Sequence, residues 1–213
     1  MSIMTVNPKS AALVLIDVQP AFVEWMSGSP EPVLTRIEHL LLLAEHFHLP
    51  CLATFEHPVE RKGWLPVALE RVVPATGQRF VKRTYGCCNE PEIRDALQAL
   101  NVKQLIVGGA ETDVCVLQSV LGMLELGFQV FLLEDCVFTS ESEPGPALRR
   151  MYQAGVIPLT YKTLHYELTH SVDVPQPHVA WNARLGGEAP RYKTPEALAP
   201  WESALHSSSA LRP

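Results

Sequence analysis

Cysteine is scarce in this 213-residue sequence: only Cys51, Cys87, Cys88, Cys115 and Cys136. Their number is odd and no two are spaced as CxxC, so neither a disulfide framework nor a cysteine-rich metal site fits. A reducing, cytoplasmic compartment is the expectation. Basic runs are equally short and never exceed two residues, as in Lys82-Arg83 and Arg149-Arg150. With a formal net charge of -6, the chain lacks the positive surface that would displace counterions from phosphates, which argues against a nucleic-acid partner. No apolar stretch is long enough to cross a bilayer, so no membrane partner is expected. The opening MSIMTVNPKSAALVLID has an apolar run, but it stops at Asp17 and has neither a basic leader nor a small-residue cleavage site. It reads as a first strand rather than a signal peptide.

What remains is the balance of a globular enzyme-sized domain, 47% hydrophobic and 19% charged. Apolar runs alternate with helix-periodic segments. Ala11–Ile16 is an unbroken run of strand formers, as in a strand covered on both faces. Val33–His46 repeats apolar residues at helical spacing. Cys51–Phe55 and Arg79–Lys82 read as strands two and three, with the Pro- and Gly-rich stretch 56–77 between them as loop and one helical turn. Pro91–Leu100 is a helix capped by Asn89, and Gln104–Val107 a fourth strand closed by Gly108-Gly109. Val114–Leu126 is a helix, and Gln129–Leu133 a fifth strand ending at Glu134-Asp135. A helix over Pro144–Ala154 has Ser140 and Glu143 at capping-box spacing, Val156–Leu159 is a sixth strand, and Thr163–His170 a closing helix. This order predicts an α/β fold: a three-layer open parallel sheet of about six strands with helices on both faces, in a domain over residues 1–171. Residues 172–213 are rich in Pro, Ser, Gly and His and read as an extended arm with Trp181 and Trp201 as anchors.

Three residues stand where parallel sheets hold their chemistry, beyond the carboxyl ends of the strands. Cys115 lies in GGAETDVCVLQSV, at a strand-to-helix turn. Unpaired N–H groups at a helix start favour a thiolate and can bind an oxyanion. A small buried core cysteine is an equal alternative on this evidence. Asp17 ends strand one, and with strand order 3-2-1-4-5-6 it would neighbour the turn bearing Cys115; a turn or capping aspartate is the plainer reading. Lys82 ends strand three, where Arg79 and Arg83 compete with it and a solvated lysine is the commoner fate.

The succession IDVQ, VKRTYGCC, GAETDVCV resembles the isochorismatase-like cysteine hydrolase superfamily, from about Ala11 to His170. The resemblance implies a Rossmann-like fold and a catalytic triad of Asp17, Lys82 and Cys115. It also implies a non-proline cis peptide between Ala110 and Glu111, with the N–H groups of Glu111 and Cys115 as oxyanion hole. The implied activity is hydrolysis of a small amide-type substrate through a covalent thioester. Vinyl-ether or ester hydrolysis by Asp17 and Lys82 is the alternative, and a non-catalytic binding or thiol-sensing protein a third reading.

Metal-dependent nicotinamidases of that superfamily carry an aspartate and histidines after the second strand. Here there are only the adjacent Glu56-His57, so no metal and no other cofactor is expected. Phe22, Trp25, Glu56 and Tyr85 are candidate pocket residues, with loop packing as the plainer alternative for each. Cys87 and Cys88 read as buried filler, because adjacent cysteines bridge only with strain. The expected partners are a small-molecule substrate and, since members of the resembled family commonly associate, further copies of the chain in a homo-oligomer.

Overall fold

Six segments become strands, five of them mostly apolar and the third, at the sheet edge, mixed in sequence and largely exposed. The segments between them are long enough to carry each crossover back to the starting edge of the sheet, as parallel pairing demands. The structure, a computed structural model, describes residues 5–171. Strands β1 (Ala11–Ile16), β2 (Cys51–Glu56), β3 (Gln78–Lys82), β4 (Gln104–Ala110), β5 (Gln129–Phe138) and β6 (Ile157–Leu159) form one sheet in the order β3-β2-β1-β4-β5-β6. Every pairing is parallel. The helices are α1 (Pro20–Trp25), α2 (Pro30–His46), α3 (Val59–Lys62), α4 (Val67–Glu70), α5 (Pro91–Ala99), α6 (Leu117–Glu125), α7 (Gly145–Gln153) and α8 (Tyr161–Thr169).

The period of two along a strand divides β1 between two cores. Ala12, Val14 and Ile16 join one buried cluster with Ile93 and Leu97 of α5, Val120 and Met123 of α6, and Met151 of α7. Leu13 and Leu15 are fully buried outside that cluster. The apolar face of α2, including Leu40, Leu41 and Leu43, is buried as well, and α2 packs on β5 and α8. β1 and β4 are thus covered on both faces, which is why β1 is apolar throughout. The one polar residue of β4, Gln104 at its start, has its side chain hydrogen-bonded to the Asn7 N–H, the Thr5 carbonyl and Gln129.

Several boundaries depart from expectation. Gly108-Gly109 does not close β4, which runs on to Ala110. Gly109 has φ +124, and a Cβ there would sit 1.9 Å from the Ile16 carbonyl oxygen. The register against β5 shifts between Val107 and Gly109, and pairing resumes at Gly109–Val137 and Ala110–Phe138. That bulge carries β5 past Glu134-Asp135, where Asp135 is satisfied by Arg36 at 3.1 Å and by the Tyr161 N–H at 2.8 Å. Asn89 does not cap α5; the cap position is Glu90. Nor does the Ser140–Glu143 box form. Pro144 holds the cap position of α7 without a side-chain bond, and the Ser140 N–H donates to Glu111 instead. The stretch after β2 holds two short helices, α3 and α4, rather than one turn, and α1 arises where no helix was expected, with Pro20 starting it. No helix among the described residues is long and apolar enough to cross a membrane. The arm assigned to residues 172–213, with Trp181 and Trp201, lies outside the described residues.

Candidate functional site

Four neighbouring strands, β3, β2, β1 and β4, deliver one functional group each at their carboxyl ends. Asp17 directly follows β1 with φ 48, a left-handed conformation that short polar residues accept more readily than most. The turn is held by the Asp17 N–H donating to the Thr54 carbonyl at 3.1 Å, and by the Gln19 N–H donating to the Asp17 carbonyl at 2.7 Å. Its carboxylate accepts from the Thr54 hydroxyl at 2.8 Å. The other oxygen, Oδ2, lies 2.6 Å from Lys82 Nζ, with both side chains fully buried. The contact is a fully buried ion pair.

Lys82 is the last residue of β3, and its ammonium also donates to the Thr84 carbonyl at 3.1 Å. The peptide N–H groups of Arg83 and Thr84 both donate to the Glu90 carboxylate, at 2.7 and 2.8 Å. That clamp fixes the loop on which the ammonium rests. The two competing arginines go elsewhere. Arg79 pairs with Glu70, and Arg83 Nη1 lies 3.3 Å from His57 Nδ1.

Glu56 ends β2. Its Oε2 accepts the Cys115 thiol at 3.2 Å and lies 3.7 Å from Lys82 Nζ, while Oε1 is ion-paired with Lys62. The backbone of Glu56 is locked by the buried Gln19 side chain, which accepts the Glu56 N–H at 2.7 Å and donates to the carbonyls of Glu56 at 3.2 Å and Gly63 at 2.7 Å. Cys115, only 2% exposed, sits in a single π-helical turn, Thr112–Val116, that leads into α6. The peptide bond Ala110–Glu111 just upstream is cis. The thiol is therefore in the turn before the regular helix rather than in its first turn.

Carboxylate oxygens of Asp17 and Glu56 and the Cys115 sulfur all lie within 4.8 Å of one another. Two carboxylates and a thiol are a donor set that a metal could use. Here, however, the Lys82 ammonium stands 2.6 Å from one carboxylate and 3.7 Å from the other, and Lys62 holds the remaining Glu56 oxygen. Positive charge is already supplied by side chains, and the cluster does not fit a cation.

Electrostatics divides the work among these groups. Burial pushes the Asp17 carboxyl above the usual carboxylate range, with Lys82 and Thr54 offsetting only part of it. For Glu56 burial acts in the same direction, but Lys62, the thiol and Lys82 outweigh it and hold the carboxyl below its ordinary value. Burial alone would lower the Lys82 pKa; Asp17, the thiol and Glu56 reverse that and keep the ammonium charged. The Cys115 thiol is pushed up, first by burial and then by Asp17 and Glu56 against the opposing pull of Lys82. The expected lowering of the thiol pKa at a helix start is not what this site produces. Two carboxylates beside the sulfur and the loss of water outweigh backbone N–H groups.

Of the candidate pocket residues, only Glu56 touches the cluster directly. Phe22 is 5% exposed, lies under Lys62 Nζ at 5.3 Å and meets Trp25 edge-on at 6.2 Å. It therefore adjoins the site through Lys62. Trp25 and Tyr85 are exposed, at 61% and 57%. A cleft of about 420 Å³ beside α1 is lined by Pro20, Val23, Met26, Leu34 and Pro66, and by none of the four clustered groups. Thr54, Gln19 and Lys62 were not singled out from the sequence. Thr54 was discoverable in principle from the candidate pocket residue Glu56, because residues two apart on a strand share a face. Lys62 comes from a short helix with no sequence signature.

A family model described as Isochorismatase domain matches residues 11–163. A protein of Escherichia coli (strain K12), described as probable hydrolase YcaC, is 28% identical over 164 residues, covering 76% of this chain and 79% of its own length. Among solved structures, YcaC from Pseudomonas aeruginosa with hexane-2,5-diol and covalent acrylamide gives a TM-score of 0.79 at 25% identity, over 97% of this chain and 99% of that one. The MAR1 ribonuclease from Caenorhabditis elegans gives 0.75 at 26% identity, over 87% and 94%.

Proposed function

The chain belongs to the isochorismatase domain family, and from that premise we propose that it is a cysteine hydrolase cleaving a small amide through a thioester on Cys115. The observation that carries this reading is the clustering of one buried thiol with two carboxylates beside a charged lysine, where, of the two carboxylates, Asp17 is the one whose pKa is raised toward taking a proton. Asp17 accepts the thiol proton as Sγ bonds the substrate carbonyl carbon, and the carbonyl electron pair moves onto oxygen. The N–H groups of Glu111 and Cys115 are proposed to receive that oxyanion. The C–N bond then breaks, and the departing nitrogen takes the proton from Asp17. Water gives a proton to the same carboxylate as it attacks the thioester, the C–S bond breaks, and the sulfur recovers its proton. Lys82 keeps the charge of the buried aspartate compensated in every state where Asp17 is ionised.

The raised thiol pKa means that the nucleophile is made during attack, not stored as thiolate. Acrylamide is a primary amide and an electrophile that thiols take up, so the covalent acrylamide of the P. aeruginosa relative supports a reactive nucleophile on this fold. Vinyl-ether or ester hydrolysis by Asp17 and Lys82 would not need the sulfur, and a thiol sensor would not turn over. Ammonia release from a panel of small amides separates the three, with an RNA substrate included because of the C. elegans relative. Wild type should release ammonia, Cys115→Ser should not, and intact mass should show an acyl adduct on Cys115. Activity that persists in Cys115→Ser, or RNA cleavage without amide hydrolysis, would sink the amidase reading.

Association with further copies of the chain is part of the same proposal. Trp25, Tyr85 and Tyr166 are exposed at 61%, 57% and 59%, and large aromatic side chains gain most when docked. Light scattering on the full chain should return a mass above the 23.6 kDa of one copy; a monomer removes this part.

A further inference from the structure

Glu56 is held too firmly, and too close to the sulfur, to be a bystander, and the proton steps above leave it unused. Its backbone is bonded on both sides to Gln19, one carboxylate oxygen belongs to Lys62, and the other accepts the Cys115 thiol at 3.2 Å. Lys82 stands 3.7 Å from that second oxygen, beyond hydrogen-bond length. The thiol is thus the hydrogen-bond donor this oxygen has at the resting site.

That donor is lost in the first chemical step. Once the thiol proton has moved to Asp17, Oε2 faces a sulfur with no hydrogen, in surroundings where a charged oxygen left without a donor is costly. The same step brings a carbonyl carbon to bonding distance of Sγ, so the substituents on that carbon come within reach of an oxygen 3.2 Å from the sulfur. An oxyanion or an ester oxygen would be repelled by the carboxylate. An N–H would replace the lost donor. The low pKa of Glu56, held down by its two lysines and the thiol against burial, keeps it an acceptor rather than a competing base.

We propose that Glu56 is the specificity-determining residue of the site: it accepts a hydrogen bond from an N–H on the scissile carbonyl group, and so selects amides bearing an N–H over esters and fully substituted amides. This rests on the amidase reading. The bond strengthens as the thiol proton departs, so it favours the transition state over the bound substrate and should act on kcat more than on KM.

A matched set with one acyl group decides the matter: the primary amide, its N,N-dimethyl amide and its methyl ester, each rate divided by that of alkaline hydrolysis. Wild type should favour the primary amide over both others by on the order of 100-fold, the scale of one lost charge-assisted hydrogen bond. In Glu56→Gln, whose side chain has no charge and can turn a donor toward the leaving group, the amide-to-ester ratio should fall at least ~10-fold, through kcat for the amide. Equal normalised rates on all three substrates in wild type, or an unchanged ratio in Glu56→Gln, would overturn this role while leaving Cys115-dependent hydrolysis intact. Should the variant fold poorly, the wild-type comparison of primary with dimethyl amide still decides. A wild type with no Cys115-dependent hydrolysis at all would remove the amidase reading and this role with it.

Discussion

The Lys82 ammonium meets the Asp17 carboxylate at 2.6 Å, with both side chains fully buried. Neither group has water to turn to, so each is the other's principal charge compensation. Removing one partner alone leaves the second stranded in a low-dielectric site. When the charge is removed from both, neither of the two is stranded, and Glu56 is left with Lys62 as its partner. This asymmetry separates a structural contribution of the pair from its proposed chemical one.

Lys82→Met should therefore lose activity and about 3–5 kcal/mol of stability, the usual cost of breaking a buried pair. The double variant Asp17→Asn, Lys82→Met should recover much of the stability and none of the activity. Urea unfolding of wild type, both single variants and the double variant completes the cycle. Additive losses would mean that the two charges are not coupled.

Iodoacetamide should modify the Cys115 thiol slowly at neutral pH, with a rate that climbs into the alkaline range, because burial, Asp17 and Glu56 all favour the protonated sulfur. Glu56→Gln removes one of those charges and should shift the rate profile of Cys115 to lower pH. Peptide mapping resolves this from Cys51, whose thiol burial pushes up to about 12. A profile that stays put or moves upward in the variant would contradict the electrostatic account.

Acid stability should carry the mark of His39. Burial first, and then the charge of His165, pushes its pKa from 6.5 down to about 4. Between those values the unfolded chain binds a proton that the folded chain refuses. Stability should fall as pH drops through that window, by about 3 kcal/mol in all, and level off below it. Melting temperatures across the window read the slope, and His39→Gln should flatten it. An equal slope in the variant would assign the acid sensitivity elsewhere.

Chelation should leave activity intact, since Lys82 and Lys62 already hold the carboxylate oxygens a cation would need. An EDTA-treated enzyme that regains activity only on adding zinc would show that the ammonium groups yield their place to a metal.

Much of this arrangement was legible from the residues. Unbroken apolar runs such as Ala11–Ile16 specify buried strands, and the alternation with helices specifies parallel order, so the carboxyl-end positions of Asp17, Lys82 and Cys115 follow from topology. The contact of Glu56 with the thiol did not follow. It depends on how Gln19 pins a loop 37 residues away, and no local pattern encodes that. The protonation of Cys115 was misread for a related reason. A turn before a helix is visible in the sequence, whereas two carboxylates arriving from other strands are not. The lengths of β4 and β5 were underestimated because Gly108-Gly109 resembles a stop, while its use here is to let two backbones approach.

Because each of the four clustered groups comes from a different strand, the site has no local precursor. The Cys115–Glu56 contact spans 59 positions and the Thr54–Asp17 contact 37, and each requires parallel pairing, the slow class of contact in folding. During refolding from denaturant, helical signal should return first and catalytic competence last, with Cys115 open to thiol reagents throughout the interval. The nucleophile is then a built-in clock for completion of the sheet, and a chain stalled before β3 has docked on β2 would be compact and helical, reactive toward thiol reagents and without catalysis.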